Sequence, residues 1–194
     1  MGKAEITKQF IIEKSAPVFN KRGYAGTSMN DLTQATGLTK GSIYGNFQNK
    51  DEVAVEAFKF NTAKMNAVFN TEMASAKSNR EKLMAYPNVY ERFFKGGLPD
   101  GGCPILNTST ESDDTHPELK AVAKKAFLAW KKSIVAIIDD GKKANEFKPE
   151  TDSEKTGITI LALIEGATMI AKLTESESNL LLINDSLKKL IHEL

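Results

Sequence analysis

The fold is decided by residues 27–47, which read TSMNDLTQATGLTKGSIYGNF. The first part predicts a short helix from Met29 to Ala35, and Gly37 follows it as the residue type best suited to a left-handed helix cap. Thr39 then offers a hydroxyl N-cap to a second short helix, Lys40 to Phe47. Two short helices joined by a tight glycine turn predict a helix-turn-helix.

The same stretch strongly resembles the DNA-reading head of the TetR family of bacterial transcriptional regulators. Members of that family place a hydroxyl pair before the first short helix, then a glycine turn, then a helix with the pattern Gly-x-x-Tyr-x-x-Phe. Gly41, Tyr44 and Phe47 supply that pattern here, and Lys50 opens the next helix as it does in the family. Three upstream positions match as well: Phe19, Gly23 and Tyr24.

The predicted DNA-contacting set combines hydroxyls, an amide, a glycine and two lysines. It comprises Thr27, Ser28, Thr39, Lys40, Gly41, Ser42, Tyr44, Asn46 and Lys50. The members that can approach base edges and the DNA backbone closely are Thr39, Lys40, Gly41, Ser42 and Asn46. Tyr44, Lys50 and the two hydroxyls before the first helix suit phosphate oxygens. Asn46 departs from the family, in which His is most frequent, and leaves the contact of that position open. The alternative is that the hydroxyls and Tyr44 are caps and surface positions of a compact three-helix unit.

The charge distribution agrees with a DNA-binding region at the N-terminal end, residues 1–50, which we call the reader below. Residues 1–50 contain six Lys and one Arg against three acids, a formal charge of +4, although the whole chain carries only +1. A basic end on a slightly acidic body is typical of a nucleic-acid reader attached to another domain. An ordinary solvated surface is the alternative.

The rest of the chain shows helical periodicity without strand-like alternation or repeats. Further helices are predicted over residues 4–22, 50–74, 79–95, 103–110, 117–141, 153–173 and 179–194, the last with Ser178 as its N-cap. We therefore expect an all-α, TetR-like fold of about nine helices. Residues 1–50 would form the DNA-binding domain, with the start of a connecting helix, and residues 51–194 a ligand-binding and dimerisation domain.

The last two predicted helices are the expected dimer interface, as the resemblance implies. Residues 158–171 are apolar on too many faces for a lone surface helix, and Ala162, Gly166 and Ala167 allow close helix approach. A homodimer through residues 153–173 and 179–194 follows. The alternative is a helix buried within one chain.

An inducer pocket in the body is implied by the resemblance, and its richness in aromatic and methionine side chains favours a modest-sized apolar or aromatic ligand. Ordinary core packing is the alternative for each residue. Asn107, Thr108 and Thr110 are polar groups able to orient a ligand. The candidate lining is Phe58, Met65, Phe69, Met84, Tyr90, Phe94, Cys103, Asn107, Phe127 and Trp130.

Cys103 is the single cysteine and would lie near the N-terminus of a short helix, where the helix dipole lowers a thiol pKa. It is either a sensor of oxidants or electrophiles or a small buried hydrophobe. One cysteine excludes an intrachain disulfide and a multi-cysteine zinc site.

Other functional classes find little support in the sequence. His116 and His192 lack metal-ligand spacing, and no Gly-rich phosphate loop is present, so we expect neither an enzyme nor a metal or cofactor site. The absence of a signal-peptide pattern and of a long uncharged apolar run predicts a cytoplasmic protein without a membrane span. The resemblance implies a ligand-responsive repressor that binds double-stranded operator DNA as a dimer and is released by a small apolar or aromatic inducer or by modification of Cys103. A thiol-based redox enzyme and a helical dimeric interaction protein without DNA binding remain the alternatives.

Overall fold

The computed structural model describes residues 2–92, 96 and 99–194, and the regular structure among them is entirely helical. These described residues form nine helices, which confirms the predicted all-α fold. The helices are α1 (Lys3–Arg22), α2 (Met29–Thr36), α3 (Lys40–Tyr44), α4 (Lys50–Met73), α5 (Asn79–Glu91), α6 (Pro104–Ser112), α7 (Pro117–Lys143), α8 (Ser153–Thr174) and α9 (Glu177–Glu193).

Some helix ends differ from the predicted ones for local reasons. α6 continues to Ser112, beyond the predicted end at residue 110. α9 begins at Glu177 with Ser176 rather than Ser178 as its N-cap, since the Ser176 hydroxyl accepts a hydrogen bond from the Asn179 amide. α5 ends before residues 93–95, where the predicted helix runs on, and those three residues lie outside the described part of the chain.

The chain divides into two compact units. Unit 1 comprises Met1–Met65 and Pro99–Ala126, and unit 2 comprises Asn66–Leu98 and Phe127–Leu194. The division falls within α4 and within α7, because each of these long helices contributes one part to each unit.

The core of unit 1 joins the four N-terminal helices. Ile11 of α1, Leu32 of α2, Ile43 of α3 and Val53 of α4 are fully buried in one hydrophobic cluster. Burial of such side chains contributes about 1.5–3 kcal/mol each. Because α2 has 8 residues and α3 only 5, too few for a stable isolated helix, this shared core holds both short helices in place.

Four aromatic rings pack together in unit 2. Phe69 of α4 lies 5.0 Å from Tyr86 of α5 and 5.8 Å from Trp130 of α7, measured between ring centroids. Tyr90, one turn after Tyr86, stacks on Trp130 at 6.5 Å. Burial raises the pKa of the Tyr86 hydroxyl. We call these four residues the aromatic cluster.

α8 has two distinct apolar faces. Ile160, Leu161 and Ile164 are buried within unit 2, where the helix packs against α9 and α5. Met169 and Leu173, in contrast, are 51% and 80% exposed. Among the described residues, α8 alone is long and apolar enough to match a membrane span. A helix that is apolar on both a buried and an exposed face meets the same criterion of length and composition.

Candidate nucleic-acid interface

α2 begins with a reciprocal cap. The Ser28 hydroxyl accepts a hydrogen bond from the Asp31 amide at 3.2 Å, and the Asp31 carboxylate accepts one from the Ser28 amide at 2.8 Å. Arg22, at the end of α1, forms an ion pair with the same carboxylate. Hydrogen bonds from Ser28, with a smaller contribution from Arg22, hold the pKa of Asp31 below its usual range. α2 therefore begins at a charged Asp31 carboxylate that is fixed by hydrogen bonds and an ion pair.

The turn between α2 and α3 has the predicted geometry. Gly37 adopts a left-handed conformation (φ 69°, ψ 9°), and its amide donates to the Thr33 carbonyl at 2.8 Å. The buried Thr36 hydroxyl donates to the Leu32 carbonyl and accepts from the Leu38 amide. These bonds satisfy the end of α2 and aim the chain into α3.

α3 is shorter than predicted and presents two different sides. It ends at Tyr44 instead of Phe47, because residues 45 and 46 form a turn. Ile43 and Phe47 are 0% and 2% exposed and belong to the core of unit 1. The Thr39 hydroxyl caps α3 by accepting from the Ser42 amide at 3.1 Å. α3 is therefore held in place by its buried side chains and by the Thr39 cap.

The other side of α3 faces solvent. Lys40, Gly41, Ser42 and Tyr44 are all exposed, and Tyr44 retains 46% of its accessible surface. A β-carbon at Gly41 would meet only the Thr39 hydroxyl oxygen, at 3.8 Å. A partner surface can therefore approach the backbone of α3 closely at this point, with Lys40 and Tyr44 beside it.

Asn46 is half-buried and engaged within the reader. Its side-chain amide donates to the Ser42 carbonyl at 2.9 Å and thereby satisfies the C-terminal end of α3. The departure from the family at this position thus has a local structural role.

The segment that joins α1 to α2, residues 23–28, is called the corner below. Thr27 lies in this corner and Lys50 of α4 contacts it, so neither is on the outward side of α3. Thr27 is 1% exposed and its hydroxyl donates to the Gly23 carbonyl at 2.6 Å. The Lys50 ammonium donates to the carbonyls of Tyr24 and Thr27, both at 2.7 Å. It also lies 3.9 Å from the centre of the Tyr24 ring. The sequence places both side chains among the phosphate contacts, whereas the structure engages both in building this corner.

A second set of polar contacts at the corner joins Tyr24, Asp51 and His116, and local sequence patterns do not predict it. The Tyr24 hydroxyl donates to the Asp51 carboxylate, and the His116 Nε2 atom lies 3.6 Å from the same carboxylate. His116 also caps α7, since its Nδ1 atom accepts from the Leu119 amide at 3.3 Å. Burial, followed by the contact with Asp51, raises the pKa of Tyr24 to about 12. Only His116, directly before Pro117, occupies a recognisable cap position in the sequence.

The expected inducer-binding residues divide between the two units. Phe69, Tyr90 and Trp130 are in the aromatic cluster of unit 2, together with Tyr86, which sequence reasoning missed. Of three further members, Met65 is buried, and Met84 and Phe127 are half-buried. Phe94 lies outside the described residues.

Phe58 and Asn107 line a cavity of about 30 Å³ in unit 1, together with Thr108. Such a volume holds about one water molecule, not an organic inducer. The Asn107 side-chain amide donates to the carbonyls of Asn20 and Gly101, at 3.0 and 2.9 Å. Thr110 is exposed, and its hydroxyl donates to the Leu106 carbonyl. The Asn107 amide is thus engaged by the backbone of unit 1, and the Thr110 hydroxyl by the backbone of its own helix.

Cys103 is the N-cap of α6 and is only 1% exposed. Pro104 follows it as the first helical residue. The thiol therefore occupies the helix N-terminus that the sequence predicts, but it is shielded from solvent. Within the described residues, no group of His, Cys, Asp and Glu side chains is arranged to hold a metal ion.

Two families of known proteins match the chain. The family described as "Bacterial regulatory proteins, tetR family" matches residues 11–57, and "Tetracyclin repressor-like, C-terminal domain" matches residues 80–183. A solved TetR-family transcriptional regulator from Cytophaga hutchinsonii is 45% identical, with a TM-score of 0.96 over 98% of this chain and 96% of that one. One from Chloroflexus aurantiacus is 34% identical, with a TM-score of 0.92 over the same shares. The transcriptional repressor DhaR of Mycobacterium is 23% identical over 89% of this chain and 86% of its own length.

Proposed function

The chain belongs to the TetR family of bacterial regulatory proteins, and on that premise we propose that it is a dimeric repressor released from operator DNA by a small inducer. It is a transcriptional regulator with a helix-turn-helix and a C-terminal ligand-binding domain. We assign DNA binding to residues 1–50, and ligand binding and dimerisation to residues 51–194.

The observation that carries the DNA-binding role is the two-sidedness of α3. Ile43 is buried in the core, while Lys40, Ser42 and Tyr44 face solvent. A recognition helix needs this division, since its outward residues must reach base edges while its inward residues fix its direction. In our proposal Lys40 reads base edges, and Tyr44 contacts phosphate.

The remaining residues of the predicted contact set have supporting roles in this proposal. Gly41 lets the backbone approach the DNA, and the exposed hydroxyls of Ser28, Thr39 and Ser42 lie at helix N-termini that suit phosphate. Thr27, Asn46 and Lys50 shape the reader from within, consistent with their hydrogen bonds.

Dimerisation through α8 and α9 is supported by their unpartnered apolar side chains. On α8, Ile158, Met169 and Leu173 are exposed, and on α9 Leu181 and Leu182 are 39% and 67% exposed. Large apolar side chains gathered on two adjacent helices typically mark a protein interface. A second copy of the chain would cover them, and the dimer would present two readers to half-sites about one helical turn apart.

For the inducer, we favour a small apolar or aromatic molecule. The aromatic cluster and the half-buried Met84 and Phe127 provide adaptable apolar surface in unit 2. Ligand binding would shift the dimer toward a state in which the two readers no longer fit their half-sites. Release by modification of Cys103 is the second route, and it requires the buried thiol to become exposed first.

The decisive experiment begins with selection of tightly bound fragments from random-sequence DNA by the purified protein. The enriched sequence, made as a defined duplex, is called the selected duplex below. We expect the protein to bind it more tightly than a scrambled duplex of the same composition, with an affinity that falls steeply as salt rises because phosphate contacts release counterions. A library of apolar and aromatic compounds is then screened for release of the selected duplex.

Two outcomes contradict this proposal. Failure to enrich any sequence favours a helical interaction protein without DNA binding. Catalytic consumption of peroxide that depends on Cys103 would instead revive a thiol enzyme, although the relatives and the fold are those of regulators.

A further inference from the structure

The corner between α1 and α2 is held from both sides by opposite charges. Its carbonyl groups, from Tyr24 and Thr27, accept hydrogen bonds from the Lys50 ammonium of α4. Its amide groups turn the other way, toward α6. The Glu111 carboxylate accepts from the amide of Tyr24 at 2.7 Å with one oxygen and from the amide of Ala25 at 2.8 Å with the other. Two successive backbone N–H groups aimed at one anion form a recurrent anion-binding arrangement.

Gly23 makes room for this carboxylate. Its φ of 72° lies in the region that favours glycine, and a β-carbon there would lie 2.5–2.7 Å from the carboxylate atoms of Glu111. Such contacts are far closer than van der Waals separation. The helix-ending glycine of α1 is therefore matched to a side chain nearly ninety residues away in the sequence.

A second link joins the same side of α6 to α1. Asn107 precedes Glu111 by one helical turn, so both side chains lie on one side of the helix. The Asn107 amide donates to the Asn20 carbonyl, and the Asn20 side chain donates in turn to the carbonyls of Asp100 and Gly102, at 2.7 and 2.9 Å. The end of α1 is thus satisfied by α6 and by the segment before it.

We propose that Glu111 is a positioning residue for DNA recognition: its carboxylate sets the α1–α2 corner, and with it the start of α2, for specific operator binding. This inference rests on the proposed function. Ser28, the N-cap of α2, follows Ala25 by three residues, so a displaced corner displaces the reader. Nonspecific attraction to phosphate, which depends on net charge rather than on exact placement, does not need Glu111.

The test compares Glu111→Gln and Glu111→Ala with Asp114→Asn, which removes the same charge from an exposed side chain of the adjacent loop. We expect Glu111→Gln to raise the Kd for the selected duplex about tenfold, since one charge-assisted contact is lost. Its Kd for the scrambled duplex should stay within about twofold of the parent's, and Asp114→Asn should match the parent on the selected duplex. Hydrogen exchange of the Tyr24 and Ala25 amides should accelerate in both Glu111 variants.

Chemical rescue separates a missing anchor from a damaged fold. Acetate added to Glu111→Ala should occupy the vacated amides and restore part of the slow exchange and of the specific affinity, whereas chloride at the same ionic strength should not. The inference is overturned if Glu111→Gln keeps the parental affinity for the selected duplex, whether or not exchange accelerates, or if Asp114→Asn is equally impaired. If the parent itself does not discriminate between the two duplexes, the proposed function fails, while the exchange rates still report whether Glu111 holds the corner.

Discussion

The side chains of the predicted DNA-contacting set fall into two groups, those that face solvent and those that are engaged within the protein. Lys40 and Tyr44 are exposed on α3, whereas the Lys50 ammonium is engaged by two carbonyls of the corner. Two lysines of the predicted DNA-contacting set therefore have different surroundings. The sequence pattern places both in the predicted DNA-contacting set, but only the fold shows that Lys40 is exposed while the Lys50 ammonium is engaged by the backbone.

Lys40→Ala should weaken binding and alter the preferred sequence, because in our proposal this exposed side chain reads base edges. Tyr44→Phe should weaken the selected and scrambled duplexes alike, by about three- to tenfold, because a single phosphate hydrogen bond is lost. Fluorescence anisotropy at several salt concentrations measures both effects. Parental binding by both variants would show that α3 is not the recognition helix.

We expect ionisation of Tyr24 to lower the unfolding free energy at alkaline pH. Burial, followed by the contact with Asp51, raises its folded-state pKa to about 12, above the unfolded value of about 10. The resulting stabilisation is fully present below pH 10 and is lost as the pH rises through 12. Denaturant unfolding of the parent and of Tyr24→Phe should therefore show a difference in unfolding free energy that narrows across this range. A constant difference would mean that the hydroxyl does not titrate there.

Cys103 should behave as a buried residue. Because it is 1% exposed, its thiol should react with a water-soluble disulfide reagent much more slowly in the native protein than in urea. Cys103→Ser supplies the zero-reaction control and should retain binding to the selected duplex. Rapid reaction in the native state, accompanied by release of DNA, would transfer inducer sensing to the thiol.

At the scale of the helices, the glycine turn and the outward and inward sides of α3 follow from the sequence, whereas the corner does not. Residues 27–47 contain the capping, turn and core signals within one short stretch. The corner depends on Glu111 and His116 from distant helices, and local periodicity carries no information about such partners. The end of α3 was beyond prediction for another reason: Phe47 keeps the spacing of a helical core residue although the chain has already turned.

Two glycines of the helix-turn-helix should respond in opposite directions to the same substitution. Gly37→Ala forces a β-carbon into a left-handed conformation and should lower the unfolding free energy by about 1–2 kcal/mol. Gly41→Ala lies within a helix with open space around it and should raise that free energy by up to about 1 kcal/mol, yet weaken DNA binding. Thermal unfolding and duplex binding distinguish the two. If Gly41→Ala binds the selected duplex like the parent, close approach of the backbone is unnecessary.

At the scale of the whole protein, the sequence predicts the all-α fold and the apolar excess of residues 158–171, and the structure resolves that excess into a buried and an exposed face of α8. The location of an inducer cavity is less accessible to sequence reasoning. Aromatic and methionine residues fill ordinary cores as readily as they line pockets, and Phe58 and Asn107 prove to line a water-sized space.

The apolar stripe on α8 should control assembly. Leu173→Glu places a charge within the proposed interface and should raise the dimer dissociation constant at least about tenfold, because an unpaired charge is costly to bury. Leu128→Glu is the matched control, since Leu128 is 49% exposed on α7, outside the proposed interface. Sedimentation velocity over a range of protein concentrations measures both. Dissociation by the Leu128 variant alone would relocate the interface to α7.

The opposite orientation of neighbouring residues on α3 also bears on how such a regulator evolves. Ile43 supports the fold, whereas Lys40 and Ser42 contribute nothing to the core, so their replacement leaves stability nearly unchanged. A duplicated gene can therefore drift through new side chains at these positions without passing through unfolded intermediates. Under the proposed function, such substitutions change the preferred DNA sequence while the scaffold that presents these side chains stays the same.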